Sequence, residues 1–386
     1  MLELSLSEAR RIVLDAQRLN KQPHAKGING TEEIVKHLGY VQIDSISRVQ
    51  RAHHHIIWSR HKGYQTDHLT KLVEQKRLFE YWGHAAALLP IKSYRFAKHR
   101  MEYFRAANGH WFEKNSEVMS QVLKAIEAQG EVHTGSIDIE KTQRSDPWWG
   151  WSPTKQSLEQ LFHEGYLACV RRDGMRKIYD ISSRVIPQNI LCERATAEET
   201  GRYMITRYLT NHGLGSKEDI TFLMREFRPL LIKLLDIMVA EKTLVPINVE
   251  GKKHFIAAEV LSARTSPIKN QLHILSPFDP LLINRQRFNR LFGANYQLEC
   301  YLPEPKRKYG YFSLPLLFRD QMQGRLNCFR DQKRSALVLE NAFLEPGLGS
   351  SIRHSFKELL ESAIGPFAVF NECQVIDWSK FHVKHY

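Results

Sequence analysis

The middle of the chain carries one order of elements that occurs twice. Residues 117–129 place apolar side chains at helical spacing and stop at Gly130, a residue suited to a left-handed helix end. A second helix opens at Ser152 and Pro153, and two short extended runs joined through Asp-Gly at 173–174 then predict a hairpin. Helices followed by a hairpin are typical of a winged helix, a helix-turn-helix with a β wing.

The second repeat is plainer. Residues 195–211 and 228–242 predict helices, and a shorter helix capped by Ser216 lies between them. Residues 244–258 contain two strand-like runs joined through Glu-Gly, which predicts another hairpin. The same winged-helix order is therefore expected here.

A looser third copy stands at the N-terminus. Helices are predicted at 7–19 and 31–38, the second capped by Thr31 and ended by Gly39. A short strand carrying Gln42 and Asp44 follows directly. Further along, the pattern predicts a helix at 67–76 and a strand-like stretch at 79–89.

Past Asn270 the pattern changes to short extended runs punctuated by Pro and Gly, which is typical of a small antiparallel barrel or sheet. The predicted fold class is α+β, with three tandem winged-helix units and a C-terminal antiparallel β-barrel. The expected domains are 1–115, 116–190, 191–262 and 263–386. Extended runs are predicted at 273–275, 297–301, 309–314, 324–329 and 335–343, and a closing helix at 352–363.

Composition narrows the class of protein. A chain of 386 residues exceeds what one core usually supports. Its first segment lacks the form of a signal peptide and no apolar run is long enough to span a membrane, so we expect a cytoplasmic protein. Five scattered cysteines without a C-x-x-C pair argue against a disulfide framework and against a zinc site.

The charge balance points to a polyanionic partner. Lys and Arg number 55 against 42 Asp and Glu, a formal net charge of +13. Four cations, Arg171, Arg172, Arg176 and Lys177, surround the first predicted hairpin turn, where they would contact DNA phosphates. A solvated hairpin tip is the alternative interpretation of the same residues.

The segment VQIDSISRVQRAHHHIIWSR, residues 41–60, holds the best candidate chemistry. On a strand, Gln42 and Asp44 would point the same way, roughly 7 Å apart, along the wall of a cleft. The alternative is an ordinary surface strand with polar residues. No Ser/His/Asp order, P-loop or dinucleotide-binding glycine pattern is evident, so Gln42 and Asp44 remain the catalytic candidates.

Other polar and aromatic positions are weaker candidates. His53, His54 and His55 cannot all point one way, and no acidic or Cys partners stand at ligand spacing, so phosphate contacts or hydrogen bonds are favoured over a metal. His84 fits a satisfied buried histidine as well as a ligand contact. The WWGW run at 148–151 could stack on bases, but structural anchoring is the favoured interpretation.

Three segments resemble the AlkZ/YcaQ family of bacterial DNA glycosylases. They are residues 41–60, FEYWGHAAALLP, and the stretch from SPFDPLLINRQRFNRLFG through CYLPEPKRKYGYFSLPLLFRD to GRLNCFRDQKRSALVLENAFLEPG. The resemblance implies three tandem winged-helix units and a β-barrel that form a C-shaped channel for duplex DNA. It also implies removal of alkylated purines, notably N7-alkylguanine, and unhooking of interstrand crosslinks in some members.

The family's catalytic motif is a glutamine, an aliphatic residue and then glutamine or aspartate. Gln42-Ile43-Asp44 matches the aspartate version, which characterises the YcaQ-like branch. In that interpretation Asp44 stabilises positive charge at C1′ and activates water, Gln42 orients the water, and Arg48 and Arg51 help to keep Asp44 ionised.

No lysine and no cofactor enters this scheme, so a monofunctional enzyme is expected. Its partner would be double-stranded DNA with alkylated or crosslinked purines. The enzyme would act as a monomer at the nucleoid, and Arg48, Arg51 and the three histidines would be among its DNA contacts. The alternative function is that of a winged-helix regulator or architectural protein without catalysis.

Overall fold

The computed structural model describes residues 1–106, 113–137, 151–262 and 266–384. Helices α1 to α16 span, in chain order, Leu6–Ala16, Gly27–Leu38, Ala52–Trp58, Asp67–Glu74, Tyr94–Arg105, Ser116–Gln129, Pro153–His163, Ser182–Val185, Gln188–Cys192, Ala197–His212, Lys217–Ile220, Arg228–Ala240, Ala258–Ser262, Pro280–Ile283, Arg285–Phe292 and Ser350–Phe370. Strands β1 to β15 span Leu2–Leu4, Val41–Gln42, Leu78–Trp82, Ala86–Pro90, Leu167–Asp173, Arg176–Ile181, Leu214–Gly215, Leu244–Val249, Lys252–Ala257, Leu272–Ile274, Leu314–Phe318, Gln321–Asp331, Ala336–Leu344, Val375–Asp377 and His382–Lys384.

The chain forms two compact units: unit 1 consists of residues 1–65 with 205–386, and unit 2 of residues 66–204. The division differs from the four consecutive domains that the sequence predicts, because the N-terminal segment packs with the C-terminal part of the chain. Within unit 1, residues of α1 such as Val13 share one apolar core with Ile247, Ile256, Leu281 and Phe288. Burial of these side chains is what joins the two ends of the chain in one unit.

Unit 1 contains a four-stranded sheet in the order β1-β8-β9-β7. Strand β1 runs parallel to β8, and β8 and β9 form the hairpin that the sequence predicts around Glu250-Gly251. Both residues of that turn have positive φ, 49° and 74°, which Gly tolerates better than Glu. Ser216 caps α11 as predicted, and the helix ends at Ile220.

A second sheet of unit 1 runs in the order β10-β11-β12-β13, and β14 and β15 each pair with β13 in parallel. Over the residues that the structure describes, this sheet is open, so the predicted closed barrel is wrong. The reason is that β13 pairs with β12 on one side and with these parallel strands on the other, which leaves β10 at the opposite edge. Runs 297–301 and 309–313 form no strand either.

Unit 2 contains strands in the order β4-β3-β5-β6. Its predicted helix ends and turns are confirmed: α6 stops at Gly130 with φ 83°, and the Ser152 hydroxyl accepts the Lys155 N–H at the start of α7. The β5-β6 hairpin turns tightly after Asp173, with Gly174 at φ 62°. The stretch predicted at 79–89 is two strands, β3 and β4, paired antiparallel.

No helix in the described ranges combines the length and the apolar character needed to cross a membrane. The WWGW run lies outside the described residues except for Trp151, which is 38% exposed and lies 4.0 Å under the Lys155 ammonium.

Candidate active site

The segment that carries Gln42 and Asp44 is a strand end followed by a turn. Helix α2 begins at Gly27, earlier than the predicted cap at Thr31, and ends at Gly39 with φ 79° as predicted. Strand β2 then covers only Val41–Gln42. Gln42 is 6% exposed and so is as buried as its apolar neighbours, which differs from the outward polar face that strand alternation predicts.

Asp44 lies past the strand in irregular chain, and its carboxylate helps to shape that chain. Its Oδ1 accepts the backbone N–H of Ile46 at 2.8 Å, an i to i+2 contact typical of an Asx turn. The side chain is half-buried. Burial raises the pKa of Asp44, and the Ile46 hydrogen bond opposes that shift.

Neither of the two arginines expected beside Asp44 is among the groups that shift its pKa. The Arg48 guanidinium lies 3.1 Å from the Glu340 carboxylate and 4.8 Å from the centre of the Phe329 ring. Arg51 stands at the N-terminus of α3, where its carbonyl accepts two backbone N–H groups. The raised pKa of Asp44 is opposite to the expectation that arginines hold it ionised. Among the described residues its carboxylate forms no ion pair.

The three consecutive histidines lie on α3, where they contact other groups of the protein. His55 has no exposed surface, donates from Nε2 to the Ile274 carbonyl at 2.8 Å, and has its ring centre 5.1 Å from that of Phe367. Burial lowers its pKa to about 4, so the ring is neutral at pH 7. With no exposed surface, His55 cannot contact DNA, which corrects the expectation that all three histidines do so.

His54 is hydrogen-bonded to the Tyr64 hydroxyl at 2.6 Å through Nδ1, and burial followed by the charge of Arg51 lowers its pKa to about 4. His53 is half-buried beside it, with 4.2 Å between the two ring centres. Within the described ranges, no three His, Cys, Asp or Glu side chains are grouped so as to hold a metal ion.

The family becomes clear on comparison with known proteins. The family model described as DNA glycosylase AlkZ-like matches residues 35–370, a span that includes Gln42 and Asp44. The chain belongs to the AlkZ-like DNA glycosylase family. It is therefore a DNA glycosylase of DNA repair, and DNA is its substrate.

A solved structure, the Streptomyces sahachiroi DNA glycosylase AlkZ, is similar over 99% of this chain and 100% of its own, with a TM-score of 0.66 at 14% sequence identity. At that identity the likeness shows the fold alone. It confirms the α+β class predicted for this AlkZ-like glycosylase.

The hairpin cations of this AlkZ-like glycosylase are mostly paired with acids. Arg172 donates to both oxygens of Glu80, at 2.6 and 2.7 Å, and its side chain is only 17% exposed. Lys177 lies 2.7 Å from Glu159, and Arg171 pairs with Glu131. Of the four, only Arg176 forms no ion pair within the described part of the chain. Arg176 is therefore the hairpin cation most available to DNA phosphates.

Sequence reasoning missed the residues that face Asp44 in this AlkZ-like glycosylase. Burial and then the Asp44 charge raise the pKa of the Cys300 thiol, and Arg285 acts in the opposite direction on it. Burial, followed by the charges of Cys300 and Asp44, likewise raises the pKa of Tyr301. These groups lie within reach of each other's charge. The available signal was the run Lys306, Arg307 and Lys308, flanked by tyrosines on both sides.

Proposed function

We propose that this protein hydrolyses the N-glycosidic bond of cationic N7-alkylated purines in duplex DNA, with Asp44 as its catalytic carboxylate. The observation that carries the proposal is the state of Asp44. It is a half-buried carboxylate whose pKa burial raises, and it forms no ion pair within the described part of the chain. A cationic nucleotide would supply the missing positive charge, so the site favours a substrate that brings its own.

The chemistry follows from that substrate. When the bond between C1′ and N9 breaks, the electron pair leaves with the purine, whose positive charge is thereby neutralised. Positive charge moves to the sugar, where the Asp44 carboxylate stabilises it. Water then attacks C1′ and gives its proton to Asp44. Neutral guanine lacks the activated leaving group and would be spared.

Gln42 fits the role of orienting the attacking water. Its side-chain amide both donates and accepts hydrogen bonds, and it is held almost fully buried two residues before Asp44. Burial fixes its position more tightly than an exposed side chain would allow. No lysine takes part in this scheme, so the proposed enzyme is monofunctional and forms no Schiff base with the sugar.

The family resemblance extends the proposal in several ways. We propose that the helix and hairpin groups act as tandem winged-helix units on duplex DNA, and that crosslinked purines are substrates as well. For contacts with DNA we propose Arg176, His53 and His54, with Arg48, Arg51, Arg171, Arg172 and Lys177 as further members wherever DNA displaces their present partners. A monomer acting in the cytoplasm at the nucleoid completes the proposal.

Base release tests this function directly. The purified protein is incubated with a duplex holding one N7-methylguanine, and free 7-methylguanine and abasic sites are quantified. We expect release by the wild-type protein in the presence of a chelator, and strongly reduced release by Asp44→Asn and Gln42→Ala. Borohydride should trap no covalent complex.

Binding of the duplex without any release would instead favour a regulator or architectural protein. Release by the wild type that persists undiminished in Asp44→Asn would remove the role of the carboxylate and leave the function.

A further inference from the structure

An irregular segment of unit 1, residues 297–311, carries exposed aromatic rings beside a run of cations and is called the aromatic-basic loop. Tyr301 is 79% exposed and Tyr311 is 40% exposed. The run Lys306, Arg307 and Lys308 lies between them, and the Arg307 guanidinium is 5.0 Å from the centre of the Tyr311 ring. Exposed aromatic rings next to cations are typical of surfaces that bind nucleic acid.

The aromatic-basic loop is held in one shape although it contains little regular structure. The Glu299 carboxylate, 5% exposed, accepts the backbone N–H groups of Tyr309 and Gly310 at 2.7 and 3.0 Å. Arg307 donates from Nε to the Leu302 carbonyl at 2.8 Å. These bonds tie the two ends of the loop together. The backbone that carries Tyr301 is therefore already fixed and loses little conformational entropy on binding.

The inner side of the loop rests on strand β12. The Asn327 side-chain amide donates to the Tyr309 carbonyl, and the Arg325 guanidinium lies 3.8 Å over the Tyr309 ring. Tyr296, just before the loop, donates its hydroxyl to the Ser313 carbonyl just after it, at 2.8 Å. The loop is therefore anchored at its base, and only its outer rim is open to a ligand.

The same strand reaches the segment after Asp44. The backbone N–H of Arg330 donates to the Arg48 carbonyl at 2.7 Å, and Phe329 lies under the Arg48 guanidinium. Asn327 and Arg330 are three residues apart on β12, which is about 10 Å along a strand. The loop and the Gln42–Arg48 segment are thus fixed to one strand at neighbouring positions.

We propose that the aromatic-basic loop is the lesion-reading surface of this enzyme, with Tyr301 stacking on the cationic purine while Lys306 and Lys308 hold the flanking phosphates. This deepens the function proposed above and rests on it. An N7-alkylated purine is a flat cation, and the electron-rich face of a tyrosine attracts a cation more than a neutral ring. Tyr301 therefore acts as a specificity-determining residue that favours the alkylated base over guanine.

The test separates binding from catalysis. In a Gln42→Ala background, which keeps the Asp44 carboxylate, Kd is measured by fluorescence anisotropy for a duplex with one N7-methylguanine and for the same duplex with guanine. We expect the lesion to bind more tightly, and Tyr301→Ala to remove about 10- to 100-fold of that preference. Tyr301→Phe keeps the aromatic face and should retain it.

Two controls define the surface. Tyr166→Ala removes another exposed tyrosine, 44% exposed and 4.8 Å from the Arg105 guanidinium, and should leave the preference unchanged. Lys306→Ala and Lys308→Ala should weaken both duplexes alike and each reduce the salt dependence by about one counterion.

An unchanged lesion preference in folded Tyr301→Ala would overturn the proposal, as would equal binding of both duplexes when the loop is intact. Either result is independent of base release, so a failure of the proposed glycosylase function is seen separately, as absence of 7-methylguanine from the wild-type reaction.

Discussion

Two aspartates of unit 1, the buried Asp279 and the half-buried Asp44, lie in opposite surroundings. Asp279 has no exposed side-chain surface and binds the equally buried Arg60 through both oxygens, at 2.7 and 2.8 Å. It also accepts the Leu281 N–H at 3.0 Å. Asp44 accepts the Ile46 N–H and, in the described part of the chain, forms no ion pair.

The difference separates a carboxylate that holds the fold from one that is available for chemistry. The remaining donors of Arg60 are satisfied by the side-chain and backbone oxygens of Gln17, at 2.9 and 2.8 Å, and by the Ile56 carbonyl at 2.9 Å. The charge of Asp279 and the donors of its partner are therefore fully used within the fold. The Arg60–Asp279 pair therefore has no capacity left to bind a substrate. The unneutralised charge of Asp44 is the property expected of a site that receives a cation.

The largest expected difference is in stability. Asp279→Asn leaves the Arg60 charge buried without its partner, which should lower the free energy of unfolding by about 3–5 kcal/mol. Asp44→Asn should not lower it, because the amide oxygen can still accept the Ile46 N–H while the charge that burial disfavours is gone. Urea denaturation of the two variants measures both. Equal losses would contradict the contrast.

Lowering the pH should change stability and activity in opposite directions through the titration of Asp44. Its pKa is raised above 3.8 in the folded protein, so the ionised form costs stability at neutral pH. That cost disappears as the pH falls through the raised pKa, so protonation of Asp44 stabilises the fold. Protonation of an ion-paired carboxylate has the opposite effect on stability. Activity needs the ionised form, so kcat/KM should fall over the same range. A flat profile down to pH 3.8 in a protein that stays folded would be inconsistent with this role.

The smallest effects are expected at the hairpin of unit 2. Arg176→Ala should weaken DNA binding and reduce the slope of log K against log salt by roughly 0.9 if the side chain contacts one phosphate. Arg172→Ala should act on stability instead, because it leaves the buried Glu80 carboxylate without its cation. Salt titrations with both variants give the comparison. A larger slope change for Arg172→Ala would reverse the assignment.

Local signals predicted local structure well. Gly130, Ser152-Pro153 and Asp173-Gly174 determine helix ends and a turn through their own backbone preferences, and the structure agrees at each. The spacing of Gln42 and Asp44 is a local signal too, but the strand that it predicts ends at Gln42, and the catalytic role of the two residues stays a prediction.

The predictions that failed depend on contacts between residues that are far apart in the sequence. Arg60 and Asp279 are 219 residues apart, and no local pattern pairs them. The run 297–301 looks extended, but Glu299 binds backbone N–H groups ten residues ahead and closes a loop. Arg48 and Arg172 look like free cations in the sequence because their partners, Glu340 and Glu80, lie far away in it.

The most direct test of a catalytic Asp44 is the single-turnover rate of 7-methylguanine release by Asp44→Asn, measured beside its thermal unfolding. We predict a rate at least about 100-fold below that of the wild type, with an unfolding temperature that is unchanged or higher. A folded Asp44→Asn variant that releases the base at the wild-type rate would contradict the account.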